Sequence, residues 1–493
     1  MPSDSAQPSA TLGRNRYAMI LVVVFFLTLP LANPWVRGDG VGYYAYVRSL
    51  LVEHKLDFAN DWRAGNESFT MGKIHADGTI DRQMYTATGK LDNHWAVGPS
   101  ILWAPFLAPV HLAMLTLQKA GFNVKPDGFS RPYIIVMALA TALYGFLGLY
   151  LSFRFASVYA EEGWAFLATL GIWFASSLPV YMYFNPSWSH AHSVFVVALF
   201  LWYWQRTRPG RTVTQWTILG LISGLVLDVH YLNVAILMVP LVESLHGYWC
   251  AWSATSGGTR AMLRLFGDNL LYSLATVFAF LPTLITREII YGNPLSFGYE
   301  EAGHFEWWSP HLLGALLSSD HGLLSWTPIM ILSVAGLFLF LRRNRTLAVY
   351  FIVAFVTLCY LNGGNPCWDG VSSFGNRYFI SLTPLYVLGL AVTFSDLANW
   401  VKDARLALII VRSMTALLIV WNLAFIFQWG SHMVPARGEI SWKQMVRNQF
   451  LEVPKRATSY FIAYFSNRRG LMHQIEDVDV RQWKHQQEGA NKK

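Results

Sequence analysis

The chain has 493 residues, 54% hydrophobic and only 13% charged, against roughly 25% charged for an ordinary soluble domain, which excludes a soluble enzyme and points to a polytopic membrane protein. The formal net charge of +8 does not mark a nucleic-acid binder, because Lys and Arg fall in short clusters between apolar runs rather than among aromatics. Cys250, Cys359 and Cys367 fit no metal-ligand spacing, and nothing in the pattern supports a Cys359–Cys367 bridge.

Arg14 and Arg16 precede the first apolar run, residues 17–34, which leads into Asn33-Pro34-Trp35 without a small-residue cleavage site and reads as an uncleaved signal anchor. Next comes Arg37-Gly38-Asp39-Gly40-Val41-Gly42-Tyr43-Tyr44. An acid between glycines is not needed to anchor a helix end, where Lys, Arg, Trp or Tyr sit better, so Asp39 suggests a chemical use. The following Tyr43, Tyr44, Tyr46, Arg48, Leu50 and Leu51 form an amphipathic pattern expected to lie along the membrane surface with its aromatics inward. Lys90, Asp92 and His94 lie just ahead of a Gly98-Pro99 turn, and the run 100–117 behind it is short and carries Pro105 and Pro109.

Further apolar runs fall near 132–153, 163–183, 191–205, 214–229, 231–247, 268–287, 323–341, 347–361, 378–394 and 405–428. Each approaches the roughly 20 residues a helix needs to cross the bilayer. If every run crossed with Arg14 and Arg16 inside, the basic clusters at 206–211, 260–264, 342–345 and 402–405 would all face outside, which the positive-inside rule rejects. The proline-bearing run 100–117 is the one expected to stay on the outer side as a half-helix. The expected fold is therefore an all-α bundle of about eleven transmembrane helices. It comprises a cytoplasmic segment 1–16, a membrane domain 17–429 with a long first outer loop 35–131 holding surface-lying helices, and an outward tail 430–493, disordered past about 480. No internal repeat of the kind found in many transporters is present.

On this topology the polar clusters share the outer face. His190 and His192, two residues apart, would point to different faces of a helix and make a poor metal pair, but either could meet a phosphate or hydroxyl. Asp228 and His230 stand at a helix end, where a buried acid needs a partner. The loop 362–378 packs Gly363, Gly364, Gly370 and Gly375 with Trp368, Asp369 and Arg377 ahead of a new apolar run. Glycine lets the backbone approach a ligand, and Arg377 offers a planar fork for a phosphate, the alternative being a snorkelling anchor. Glu300, Glu301, Asp320 and His321 carry no comparable signal.

A first helix followed by an outer loop that opens on an acid, then surface-lying helices, resembles the GT-C superfamily of membrane glycosyltransferases, which includes protein O-mannosyltransferases and lipid A aminoarabinose transferases. The resemblance spans about residues 17–380 in layout. It implies a polyprenyl-phosphate-linked sugar donor, a lipid, glycan or protein acceptor, and inversion at the anomeric carbon on the outer face of the plasma membrane. It also implies that Asp39 activates the acceptor, that Arg377, with Lys90 and His190, holds the donor phosphate, and that Tyr43, Tyr44, His94, His192, Asp228, Trp368 and Asp369 line the substrate space. Family members often carry a second acid in the next outer loop. Here that loop reads Asn185-Pro186-Ser187-Trp188-Ser189-His190, with no carboxylate, so the spacing gives no support for a divalent metal and no metal ligand is assigned. A transporter or flippase for a lipid-linked substrate, and a glycan ligase or polymerase, remain alternatives.

Overall fold

A computed structural model describes residues 9–208, 210–254, 257–298 and 303–490, and Glu300 and Glu301 lie outside them. All the described regular structure is helical, apart from two isolated bridges, Ile74 with Ile80 and Tyr85 with Leu91. Every apolar run of the sequence is helical, from Ser9–Thr28 to Ala404–Gly430. Many of these helices are interrupted. The run 163–183 becomes Glu162–Phe174 plus a π turn, Val180–Phe184, and the run 268–287 splits into Gly258–Ala279 and Leu281–Tyr291, bent by 46° beside Pro282. Six described helices are long and apolar enough to cross a membrane, or seven if the bent pair counts as one, so the structure does not itself carry the count of eleven.

Two expectations are corrected. The run 100–117 is no half-helix: Gly98–Lys119 runs unbroken for 22 residues through Pro105 and Pro109, and is long and apolar enough to span. The two prolines are four residues apart, so their missing N–H groups fall on one stripe and one side of the helix absorbs the loss. This helix runs antiparallel to the first half of Arg131–Ala156, with the Tyr144 hydroxyl on the Leu102 carbonyl and His111 against the Tyr133 hydroxyl. The second correction concerns Asp39–Arg48. Its expected amphipathic exposure is absent, since every residue from Gly40 to Arg48 is buried within the protein. Its tyrosines are tied inward, Tyr43 to Ser189, Tyr44 to the Gly128 carbonyl and Tyr46 to the Asn93 carbonyl. Arg48 is held by Asp61 and Glu53, so the one basic group on this helix is buried as a paired group.

That buried helix sits in a core of its own, in which Phe58, Trp62, Phe69, Trp95 and Trp103 pack with its tyrosines. A larger core runs through the remaining bundle. The tail folds back onto the protein: after Trp442–Leu451 and Val453–Ser466, the helix Arg468–Ala490 runs ten residues beyond the point where the sequence pattern predicts loss of order. Charge pairing holds it. Asp479 meets Arg37 and His432, and Glu476 accepts from the Asn66 amide and the Ser68 N–H. The three cysteines are free thiols.

Candidate functional site

Asp39 is the first residue of its helix, where unpaired backbone N–H groups favour an anion. The turn that delivers it is shaped by contact with residues 185–189. Gly38 sits at φ 53, donates its N–H to Asn66, and leaves room for the Trp188 ring, whose indole N–H donates to the Arg37 carbonyl. A side chain on Gly40 would place its Cβ 2.0 Å from Ser187 Oγ and 3.1 Å from the Ser187 carbonyl oxygen. Gly40→Ala is therefore expected to push the helix start away from this turn, destabilising the fold by about 1–3 kcal/mol as overpacked positions do. A melting temperature equal to that of wild type would contradict this packing.

Arg377 opens the 3₁₀ turn Arg377–Leu382. Its Nη1 lies 2.6 Å from Asp39 Oδ2, and its guanidinium lies over the Trp188 ring at 4.5 Å and near the Tyr378 ring at 5.3 Å. Two residues 338 positions apart in sequence thus form one ion pair, capped by an indole face. Arg377 is buried, and its Nε–H has no partner among the described residues, so the guanidinium keeps a donor beyond those given to Asp39.

Two cavities meet at this pair, sharing Asp39, Trp95, Val371 and Arg377 as a common wall. The first, about 950 Å³, runs from the pair between apolar side chains of the last helices, including Leu423, Phe427, Phe461 and Phe465. The second, about 790 Å³, is polar and aromatic, with Tyr43, His190, His230, Tyr231, Asn365 and Tyr378 around it. His230 stacks on Tyr231 at 4.8 Å, and His190 stands edge-on to Tyr181 at 4.7 Å.

Lys73 enters the first cavity with its amine 3.7 Å from the Phe69 ring centre and 5.7 Å from that of Trp95. Burial among these rings pushes the amine down to about 8, against the pull of Asp39 and Asp92. At the far side of the second cavity, Asp92 binds His94 Nδ1 at 3.1 Å and the Tyr291 hydroxyl. Burial alone would raise the Asp92 carboxyl, but these two hydrogen bonds hold it below the usual range.

Of the residues singled out in the sequence, Asp39, Arg377, Tyr43, Asp92, His94, His190 and His230 line one or both cavities. The others lie elsewhere, each for a visible reason. His192 is buried between Trp103 and Tyr144, on a different face of its helix from His190. Tyr44 is spent on the Gly128 carbonyl, and Asp228 accepts from the Thr283 hydroxyl at 2.5 Å inside the bundle. Lys90 is exposed on a tight turn, Trp368 stacks on His311, and Asp369 turns toward His321. The sequence reading missed Lys73, Trp95 and Trp188 at the pair, and it missed the tail helices that close one side of the first cavity. Trp188 was within reach, being the aromatic of the turn that holds His190. Lys73 sits in Met71-Gly72-Lys73, a stretch without pattern.

No family model and no curated protein matches this chain. Among solved structures, the apo crystal structure of ArnT from Cupriavidus metallidurans aligns with 96% of this chain and 75% of its own, at 15% identity and a TM-score of 0.49. The archaeal oligosaccharyltransferase AglB from Archaeoglobus fulgidus, solved with an inhibitory peptide and a dolichol-phosphate, aligns with 94% of this chain and 56% of its own, at 11% identity and a TM-score of 0.45. The functional reading therefore rests on the site.

Proposed function

We propose that the protein is an integral-membrane glycosyltransferase that moves a sugar from a polyprenyl-phosphate donor to an acceptor hydroxyl on the outer face of the membrane. The observation that carries this reading is the meeting of one apolar and one polar cavity at a single Asp–Arg pair. A lipid-linked donor needs both a greasy channel for its chain and fixed cations for its phosphate, and the first cavity offers both in Leu423, Phe461, Arg377 and Lys73. The acceptor enters through the second cavity, where Tyr43, Tyr231 and Tyr378 supply faces for a sugar ring and His190 and His230 supply hydrogen-bonding nitrogens.

In the proposed step, Asp39 removes the proton from the acceptor hydroxyl. The oxygen attacks the anomeric carbon from the side opposite the phosphate, the carbon–oxygen bond to the phosphate breaks, and polyprenyl phosphate leaves with the electron pair, held by Arg377 and Lys73. A single displacement inverts the anomeric centre. Incubating the purified protein with polyprenyl-phosphate sugars tests the reading: polyprenyl phosphate should appear together with a glycosylated product. Movement of intact donor across vesicles without its cleavage would replace this reading with that of a flippase.

Lys73 supplies a pH signature. In the free protein its amine carries charge only below about 8, so kcat/KM for the anionic donor is expected to decline as pH rises through 8. Lys73→Met should lower kcat/KM at pH 7 and remove that limb, and a limb that survives the substitution assigns it to another group. The stability effect has the opposite sign. Since burial lowers the amine from 10.5 to about 8, the unfolded chain holds more protons between those values, and stability should rise with pH across that window.

A further inference from the structure

We propose that Asp320, His321 and Asp369 bind one divalent ion, zinc or manganese, which fixes the loop that carries Arg377. One ligand atom from each of the three side chains lies within 4.8 Å of the others. The His321 ring is fully buried, with Nδ1 3.4 Å from Asp320 Oδ1 and 3.1 Å from the Asp369 carbonyl oxygen, while Nε2 has no partner. Asp320 Oδ1 is itself closed off from solvent and accepts no hydrogen bond among the described residues. A buried imidazole nitrogen and a buried carboxylate oxygen on adjacent residues, each left unsatisfied, are costly unless something beyond the chain completes them.

Backbone and charge point the same way. His321 is held at φ 59, a left-handed conformation that a side-chain-bearing residue adopts only when its surroundings impose it. Among the described residues the sole close ion pair of either carboxylate is that of Asp320 with His321, and the charge of Arg437 reaches Asp369 only without such contact. One imidazole and two carboxylates form a nitrogen–oxygen donor set suited to zinc or manganese and ill suited to soft ions. Around one ion, at about 2.1 Å each, three tetrahedral ligand atoms would stand roughly 3.4 Å apart, a closure within reach of side-chain rotation.

The site joins two segments. Asp320 is fixed from one side by its N–H on Ser318 Oγ, and the neighbouring Ser319 carbonyl accepts from the Trp326 indole. From the other side, Asp369 leads directly to Gly370, where a Cβ would lie 3.5 Å from Arg377 Cγ, and then to Val371, part of the wall common to both cavities. Neither Asp320 nor Asp369 lines those cavities, so the ion is a positioning element and not a participant in transfer. The inference does not depend on which reaction the site performs.

The test uses the full chain in detergent, stripped with EDTA, dialysed against Zn²⁺ or Mn²⁺ alone, and freed of excess ion before metal is counted per chain. Wild type should retain about one equivalent of one ion and melt at a higher temperature when loaded. Asp320→Asn and Asp369→Asn should each retain at least fivefold less and lose the thermal shift. Wild type that retains neither ion, or variants that retain as much as wild type, overturns the proposal. Should the variants misfold, the Mn²⁺-loaded wild type decides: its magnetic resonance spectrum should show coupling to one imidazole nitrogen, and an all-oxygen environment overturns the assignment.

Discussion

Asp39→Asn should reduce sugar transfer by about 10²–10⁴-fold, the range expected when a positioned general base is removed. Asn keeps the shape and volume of the side chain, so the helix start against Trp188 and Ser187 is preserved, and the amide can still reach Arg377. What it cannot do is take a proton. The substitution also leaves Arg377 without its counter-charge. Removing one partner of a fully buried pair costs roughly 3–5 kcal/mol, but the Asp39 side chain is 30% exposed, so a smaller loss of about 1–3 kcal/mol is expected. Activity and melting temperature should therefore separate: a protein that inserts, folds and melts a few degrees lower, yet releases polyprenyl phosphate from a donor sugar only at that residual rate. Full transfer by the folded variant would remove Asp39 from the chemistry. Asp39→Glu probes the same geometry from the other direction. Its carboxylate is retained but its reach grows by one methylene beside a rigid indole, so activity should fall less than with Asn.

The fold class was legible because many apolar runs of near-spanning length, separated by short basic clusters, are hard to bury in a soluble domain, and every such run in this sequence is helical. Asp39 and Arg377 stood out for a related reason, since a charge placed at a membrane boundary against the usual preference calls for a cause. What composition could not show was burial on both sides. The pattern Tyr43, Tyr44, Tyr46 reads equally well as a surface stripe or as a helix surrounded by partners, and only the Gly128, Asn93 and Ser189 contacts decide between them. Lys73 was invisible because nothing in the pattern between them shows that Trp95 returns beside Phe69 and Lys73. The return of the tail onto the protein was hidden for a similar reason. Arg468–Ala490 has little apolar character of its own, and the Arg37–Asp479 and Glu476–Ser68 contacts that hold it depend on residues more than four hundred positions away.

Arg377→Lys, usually a conservative change, is expected to cost about 10²–10³-fold in kcat for sugar transfer, comparable to losing one preorganised donor at a developing negative charge. The guanidinium does three things at once: it donates to Asp39 from Nη1, lies over the Trp188 ring at 4.5 Å, and holds a buried Nε–H without a partner. A lysine ammonium can keep the first contact. It cannot lie flat on the indole, and as a single point charge it must choose between Asp39 and an incoming phosphate. The leaving phosphate gains negative charge as the sugar bond breaks, so the lost contact matters more in the transition state than on binding. The damage should accordingly fall mainly on kcat, with a smaller rise in donor KM. Arg377→Ala goes further and leaves an apolar void against the Trp188 face, sized for a planar cation. Added methylguanidinium should fill that void and restore part of the lost rate, whereas methylammonium should not. Equal rescue by both cations would mean that net positive charge alone is needed there, and the planar pairing of Arg377 with Trp188 and Asp39 would lose its claimed role.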